Sequence, residues 1–352
     1  MQQEMESRLA GIFGALSDLR PENPSLMDGD AGILLFLFSY LLHTKDPDLV
    51  PFLSDRVQRL AESAASEDQG DFCKGLAGIH WFFTYLYRKG VLSREDWAFL
   101  CERDKQLEGL ALAMLEDGNY EFLYGGVGVG YYLLYAGKGS KTFYKHFFTL
   151  LSRFATAPDK VDLGLSHGIT AILKCCLQSG AGPVESKVLA NRIVDDLMGY
   201  AHMDGGVSCF PNFAGPEAPD TGSRLAWCYG DLGIAYTLHQ AGVLLRRPEV
   251  TEFALRVLDR CAARRSDAET RVGDAGFCHG SAGIAHIFYA LARQTQRPAF
   301  GEAGDHWMRR TLDMTAYPAT PALLEGTTGI GLVLLSHLTG DRAWDYCLML
   351  NN

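Results

Sequence analysis

The sequence predicts an all-α fold, an α/α toroid in which seven helix-pair repeats close into a double-layered barrel. Two observations predict it: the motif G-x-x-G recurs at intervals of 43 to 62 residues, and an apolar run follows each copy. A period of this length is typical of repeat architectures, and each interval has room for two helices. The copies begin at Gly29, Gly75, Gly125, Gly168 (with Ala171 in place of the second glycine), Gly230, Gly280 and Gly326.

The apolar runs predict seven inner helices, since a helix that is apolar on all sides must be covered on all sides. Amphipathic stretches alternate with these runs and predict about seven outer helices, beginning with an N-terminal helix. Clear examples are 51–66, 93–116, 185–201 and 250–265. Neither end carries the polar capping repeat of an open solenoid, so the helices are expected to close into a ring. Residues 202–223 are rich in glycine, proline and aspartate, and predict an ordered loop with short strands at the mouth of the ring.

Length and composition favour one large domain over residues 1–352. The chain is 47% hydrophobic and has a net charge of −10, which argues against nucleic-acid binding. Its N-terminus lacks the pattern of a secretory signal, and nine cysteines in so long a chain favour the reducing cytoplasm. The longest strongly apolar run, 33–42, is only about half of a membrane span, so no transmembrane segment is predicted.

The residue before each first glycine can form hydrogen bonds in all seven copies, although its surroundings are apolar. In a closed ring these positions meet at one end of the central cavity, and converging polar groups are what a site needs. The seven residues are Asp28, Lys74, Tyr124, His167, Tyr229, His279 and Glu325.

Copies five and six supply two cysteines and a histidine in matching register. Cys228 and Cys278 each lie two residues before the first glycine, and His279 directly follows Cys278. Two thiolates and one imidazole make a zinc site with one position left open, as in catalytic zinc centres. Cys73 shares the register but lies across the ring, so it is not expected to be a ligand. A substrate thiolate in the open position would stay nucleophilic while its pKa falls toward neutrality, which favours thiol addition or alkylation.

Two further residues are candidates for catalysis. His167 directly precedes the first glycine of its motif, as His279 does in copy six. An imidazole that titrates near neutrality suits an acid/base role. Arg224 lies four residues before Cys228, where a guanidinium beside a metal–thiolate site is suited to stabilising an oxyanion or enolate.

The segments W-C-Y-G-D-L-G (227–233) and F-C-H-G-S-A-G-I (277–284) resemble the lanthionine synthetase C (LanC) family, and the likeness extends through all seven glycine motifs. The resemblance implies an α/α toroid and a zinc ion held by Cys228, Cys278 and His279. It also implies a cyclase that closes thioether rings in lantibiotic biosynthesis. A cysteine thiolate of a dehydrated precursor peptide adds to dehydroalanine or dehydrobutyrine, and the resulting enolate is protonated.

The same resemblance implies roles for further residues and partners. His167 matches the acid/base histidine of the family, while Arg224 and Tyr229 match the residues that flank its first zinc cysteine. Glu121 falls where the family has an aspartate, which keeps the carboxylate on an arm longer by one methylene. The implied partners are the precursor peptide, a separate dehydratase and an exporter.

Three other functions remain compatible with the residues. A LanC-like protein that adds glutathione or another small thiol to dehydroamino acids would share the zinc site. An α/α-barrel glycosidase would need a carboxylate pair across the cavity, for which Asp28 and Glu325 are candidates, but it leaves the Cys2His trio unexplained. A non-catalytic peptide- or membrane-associated scaffold would tolerate the loss of zinc.

Overall fold

A computed structural model describes residues 1–352 apart from 21–22, 156–159, 181, 217–221 and 352. The described chain is mostly helical and has almost no strands, as the sequence predicts. In chain order the helices are α1 (Gln2–Ser17), α2 (Asp30–Thr44), α3 (Leu49–Ala64), α4 (Leu76–Arg88), α5 (Arg94–Leu100), α6 (Asp104–Glu116), α7 (Gly126–Ala136), α8 (Lys141–Phe154), α9 (Ile169–Gln178), α10 (Val184–Gly199), α11 (Asp231–Leu244), α12 (Pro248–Ala263), α13 (Asp267–Thr270), α14 (Ser281–Thr295), α15 (Pro298–Asp313) and α16 (Thr327–Thr339).

Seven of these helices form the inner layer, and each begins directly after the first glycine of a motif. The inner helices are α2, α4, α7, α9, α11, α14 and α16, and nearly every residue in the first turns of each is buried. Successive inner helices pack side by side, and α16 packs back against α2. The prediction of a closed α/α toroid is therefore confirmed.

The closure contact between α16 and α2 depends on a glycine. A Cβ atom built on Gly331 would lie 2.4 Å from the ring of Phe36, so the first and last inner helices approach more closely than any larger residue would permit. Phe36 is fully buried at this junction. Helix α1 covers it from outside, where it packs on α2, α15 and α16.

The outer layer departs from the prediction at one place. The amphipathic stretch 93–116 reads as one helix, but it breaks at residues 101–103 into α5 and α6. The side chain of Lys138 donates a hydrogen bond to the carbonyl of Cys101, and Arg103 donates one to the carbonyl of Glu67. The break turns Asp104, the first residue of α6, into the core, where it is almost fully buried.

The loops that precede the inner helices are joined around one end of the ring by backbone hydrogen bonds. Among the described residues, these bonds connect six of the seven neighbouring pairs of motifs. The donors and acceptors are Met27 N to Cys73 O, Cys73 N to Leu123 O, Leu165 N to Cys228 O, Trp227 N to Cys278 O, Phe277 N to Leu324 O and Leu323 N to Met27 O. Equivalent positions of neighbouring repeats are thus adjacent at this end.

The second glycine of the motif is required by a close approach of backbone. In six copies a Cβ atom at this position would lie 1.8 to 2.3 Å from the carbonyl oxygen six residues earlier. The fourth copy carries Ala171 instead. There the amide of Ala171 donates to the carbonyl of Gly168, three residues earlier. In copy six the amide of Ile284 donates to the carbonyl of Gly280, four residues earlier, so the first turn is tighter in copy four.

The interior is filled from the opposite end by residues 342–350, which include a 3-10 helix, Ala343–Leu348. Trp344 and Asp345 are buried inside the ring, together with the last four residues of the segment. The indole of Trp227 donates to the carbonyl of Leu348. Tyr236 and Gln240 of α11 both donate to the carbonyl of Leu350. The segment therefore reaches from the far ends of the inner helices up to the loop that carries Cys228.

The predicted loop 202–223 contributes the short strand β2 (Phe213–Ala214), and residues 217–221 lie outside the described part. Strand β2 pairs antiparallel with β1 (Val161–Asp162), so that Asp162 lies opposite Phe213. This pairing ties the loop to the approach of α9. No helix in the described residues is both long and apolar enough to cross a membrane.

Candidate metal and catalytic centre

Cys228, Cys278 and His279 come together at the end of the ring where the loops are joined. One ligand atom from each lies within 4.8 Å of the other two. Ligands of a tetrahedral zinc ion at about 2.0–2.3 Å are roughly 3.5–4 Å apart, so small side-chain movements would enclose the ion. The loops hold both cysteines, because the amide of Trp227 donates to the carbonyl of Cys278 at 3.0 Å. The donor set and its spacing fit zinc.

The electrostatics of the trio favour metal binding. The hydrogen bond from Cys278, together with His279, lowers the pKa of the Cys228 thiol to about 5, although burial opposes this shift. The same hydrogen bond raises the pKa of its donor, Cys278, and a second hydrogen bond, between His279 and Cys228, raises the pKa of His279. The pair therefore holds one thiolate and one thiol, and a cation would replace the remaining proton. A carboxylate oxygen of Asp274 lies 3.6 Å from Nε2 of His279.

His167 lies next to this trio and contacts Glu121. The amides of Leu165 and Ser166 both donate to the carbonyl of Cys228, which fixes the loop of His167 against the loop of Cys228. The Glu121 carboxylate bonds to Nδ1 of His167, so the second ring nitrogen, Nε2, is not engaged by Glu121. Burial lowers the pKa of His167, while the charge of Cys228 opposes that shift. Burial thus favours the neutral imidazole.

The ring of Tyr229 stacks on His167, with ring centroids 5.4 Å apart and planes inclined by 27°. Its hydroxyl donates a hydrogen bond of 2.8 Å to Oδ2 of Asp162. Phe213 of the long loop contacts the same tyrosine ring, and Lys160 lies over the Phe213 ring. The pairing of β1 with β2 thus builds one wall of the centre.

Asp162 was not found from the sequence, although a positional signal was present. It lies six residues before the first glycine of its motif, and five copies carry a turn-forming residue there. In each of the five, the side-chain oxygen accepts a hydrogen bond from the backbone amide two residues later. The five are Asn23, Asn119, Asp162, Asp274 and Thr320.

Arg224 occupies this same position in copy five and cannot form that turn. Gly230 of the same copy has φ +88°, whereas the first glycines of the other copies are extended. Among the described residues, the half-buried guanidinium of Arg224 makes no hydrogen bond or ion pair. Its charge nonetheless opposes the rise in the pKa values of Cys278 and His279, so it lies near the trio. The departure from the repeat leaves a cation free at the centre.

A second group of potential ligands, His80, Cys101 and Asp104, is buried beneath α5. Asp104 accepts hydrogen bonds from His80 at 2.7 Å, from Tyr132 and from Lys138. An ammonium group already neutralises this carboxylate, and burial raises the pKa of Cys101 to about 12. This cluster is a satisfied polar network in the core, and it stabilises the break between α5 and α6.

Cys73, which was not expected to be a ligand, lies outside the trio. Burial raises the pKa of its thiol to about 11. The thiol therefore remains protonated near neutral pH, as in an ordinary buried cysteine.

Comparisons with known proteins agree with the fold and with the motifs. The sequence model of the family described as "Lanthionine synthetase C-like protein" matches residues 20–349. Among solved structures, a nisin cyclase is similar with a TM-score of 0.78 and 16% identity, over 99% of this chain and 97% of the cyclase. A sugar epimerase from a ruminal bacterium is less similar, with a TM-score of 0.49 and 10% identity over 97% and 99% of the two chains.

Proposed function

Because the chain belongs to the lanthionine synthetase C-like family, we propose that it is a zinc-dependent lanthipeptide cyclase. It adds cysteine thiols of a dehydrated precursor peptide to dehydroalanine or dehydrobutyrine and so forms lanthionine or methyllanthionine rings. A dehydratase must supply this substrate, and we expect both proteins to act in the cytoplasm before an exporter removes the peptide. The observation that carries the proposal is the Cys2His trio beside the His167–Glu121 pair.

Cys228, Cys278 and His279 would hold the zinc ion. When bound, zinc would take the substrate sulfur in its open position and lower the pKa of the thiol. The net charge of this donor set with Zn²⁺ is zero before the substrate binds, so a sulfur ligand keeps its nucleophilic character. Asp274 is placed to orient the imidazole of His279, as carboxylates often do for metal-ligating histidines.

His167 would move the proton. Burial lowers its pKa and so favours the neutral imidazole, which can accept the proton that the substrate thiol loses. The sulfur then bonds to the β-carbon, the carbon–carbon double bond opens, and its electrons move to the carbonyl as an enolate. His167 returns the proton to the α-carbon, so the reaction adds one thiol across one double bond and releases no by-product. Glu121 stabilises the imidazolium between the two transfers.

Arg224 would stabilise the enolate. Its charge is not neutralised by any described residue, and a guanidinium next to a developing oxyanion favours the transition state. The centre therefore combines a sulfur-binding site, a proton carrier and a cation.

The test is ring closure in a synthetic peptide with one cysteine and one dehydroalanine. Cyclisation removes a free thiol, so the product no longer reacts with N-ethylmaleimide, and mass spectrometry reports the difference. We expect the purified protein to contain one zinc and to close the ring. The Cys228→Ala/Cys278→Ala variant should lose both zinc and activity. The His167→Ala variant should keep zinc and lose on the order of 10²–10⁴ in rate.

Cys73→Ala is the matched control, since Cys73 has the same register in copy two but lies outside the trio. It should retain zinc and activity. The proposal is wrong if the native protein lacks zinc, or if the double cysteine variant retains it. Faster modification by glutathione than by the cysteine of the peptide would assign the protein to small-thiol addition instead.

A further inference from the structure

The side chain of Asp162 bonds to two different groups. Its Oδ1 accepts the amide of Gly164 at 2.8 Å, which forms the turn found at this position in five repeats. Its Oδ2 accepts the hydroxyl of Tyr229 at 2.8 Å. The turn alone does not need a carboxylate, because Asn23 and Asn119 form it with an amide oxygen in copies one and three.

The contact with Tyr229 is therefore the feature that distinguishes Asp162 from the equivalent residues. A carboxylate only accepts hydrogen bonds when ionised, so the tyrosine hydroxyl must be the donor. The proton of the hydroxyl is then directed away from the centre, and the lone pairs of the oxygen remain for another partner. The stacked contact with His167 fixes the plane of the tyrosine ring at the same time.

The geometry points to Asp162 as a positioning residue that makes Tyr229 a hydrogen-bond acceptor for the substrate. The group that a peptide offers to such an acceptor is a backbone N–H. We infer that Tyr229 accepts the N–H of the dehydrated residue or of its neighbour, and so holds the double bond beside His167. This inference rests on the proposed function, because it assigns a partner to a residue of the same centre.

Further contacts fix the positions of Asp162 and Tyr229 relative to each other. Asp162 is half-buried on β1, and its register opposite Phe213 brings the long loop onto the tyrosine ring. An added Cβ at Gly164 would lie 2.7 Å from the carbonyl of Cys228 and 2.9 Å from the Tyr229 ring. The strand of Asp162 thus packs directly on the segment that carries Cys228 and Tyr229.

The experiment is a double-mutant cycle with Asp162→Asn and Tyr229→Phe, measured with the same cysteine–dehydroalanine peptide. Asparagine preserves the turn, but it presents an amide to the hydroxyl in place of one carboxylate oxygen. We expect each single variant to lower kcat by about 10- to 100-fold, the range for a hydrogen bond to a charged group. Zinc content and melting temperature should not change. The double variant should be no slower than Tyr229→Phe alone, because both changes break the same hydrogen-bonded pair, Asp162 and Tyr229.

Asn23→Asp is the control, since it makes the opposite exchange at the same turn position in copy one, outside the Cys2His trio and the His167–Glu121 pair, and it should leave kcat unchanged. Asp162→Thr gives a second variant if asparagine disturbs folding, because Thr320 forms the same turn in copy seven.

The inference is overturned if Tyr229→Phe is slow while both Asp162 variants retain the native kcat. It is also overturned if the effects of the two single variants simply multiply in the double variant. If Tyr229→Phe itself has the native kcat, then the tyrosine has no role in the proposed function, whereas intact zinc and a slow His167→Ala variant would leave that function standing.

Discussion

At the scale of single residues, the seven repeats keep their backbone and exchange their side chains. The position six residues before each first glycine forms a turn in five copies, but in copy five it is Arg224. The position directly before the glycine carries His167 in copy four and His279 in copy six. The ring brings these few exchanges together at one end, so the chemistry arises from departures from the repeat.

The Glu121–His167 contact gives the first prediction at this scale. Glu121→Gln should lower activity, because an amide cannot stabilise the imidazolium that forms during proton transfer. The pKa of His167, already lowered by burial, should fall further. Since the neutral imidazole is the base, the acidic limb of the pH profile of kcat/KM should move to lower pH.

Glu121→Asp is the matched variant, since it keeps the carboxylate on a shorter arm. It should keep more activity than Glu121→Gln and should retain the native pH profile. Equal rates for the native protein and Glu121→Gln between pH 5 and 8 would show that another group orients His167.

At the scale of the helices, the close approaches of glycine determine how the inner layer packs. Gly331 of α16 meets Phe36 of α2 where the ring closes, and Gly130 of α7 meets Phe147 of α8 in the same manner. Aromatic rings pack directly on the backbone at both places. Such contacts tolerate little added volume, because protein interiors are already close-packed.

Gly331→Ala should therefore destabilise the protein. Alanine gains up to about 1 kcal/mol over glycine in helix propensity, but overpacking typically costs about 1–3 kcal/mol. The clash at 2.4 Å from Phe36 makes the second effect larger. Urea unfolding should show a lower midpoint.

Gly109→Ala in α6 supplies the comparison, since it lies in a helix and an added Cβ has no neighbour within 4 Å. This variant should be equally stable or more stable. A midpoint for Gly331→Ala that is as high as that for Gly109→Ala would mean that the α2–α16 junction relaxes without cost.

The helix pairs and the Cys2His trio could be predicted because each depends on a local pattern in regular register. The glycine motifs mark where inner helices begin, and hydrophobic periodicity marks the outer ones. The break between α5 and α6 could not be found in this way, since it depends on Lys138, which is distant in sequence. The role of residues 342–350 was missed for the same reason. Their burial depends on partners such as Trp227 and Tyr236, and no local pattern reports those contacts.

At the scale of the whole molecule, the ring encloses charge as well as apolar side chains. Asp345 bonds to His286 and to Arg342, and it lies inside the ring. Lys174 of α9 is also fully buried, and its Nζ donates a hydrogen bond to the side chain of Gln240. These groups belong to the interior below the candidate metal centre, where residues 342–350 enter.

Lys174 gives a prediction about stability and pH. Burial lowers its pKa from an ordinary 10.5 to about 7, although the charge of Asp345 opposes the shift. Between these values the unfolded chain binds a proton that the folded chain does not, so folding becomes more favourable as pH rises. The slope approaches ~1.4 kcal/mol per pH unit for one proton.

Lys174→Met should remove this contribution to the pH dependence of the unfolding free energy. The difference in unfolding free energy between the native protein and the variant should thus change in favour of the native protein from pH 7 to 8.5. Cysteines of the unfolded chain also begin to ionise over this range, but they do so equally in both proteins, so their effect cancels in the difference. A difference that stays constant over this range would show that Lys174 is charged in the folded protein.

The segment 342–350 also bears on the order in which the chain can mature. These residues leave the ribosome after all seven glycine motifs, yet Trp227, next to Cys228, rests on the carbonyl of Leu348. A nascent chain can therefore assemble neighbouring helix pairs while it is being synthesised, but the loop that bears the first thiolate gains its inner support only when translation has passed residue 350. Metal loading at the candidate site should accordingly follow the synthesis of residue 350, and it should be coupled to the packing of residues 342–350 inside the ring of helices.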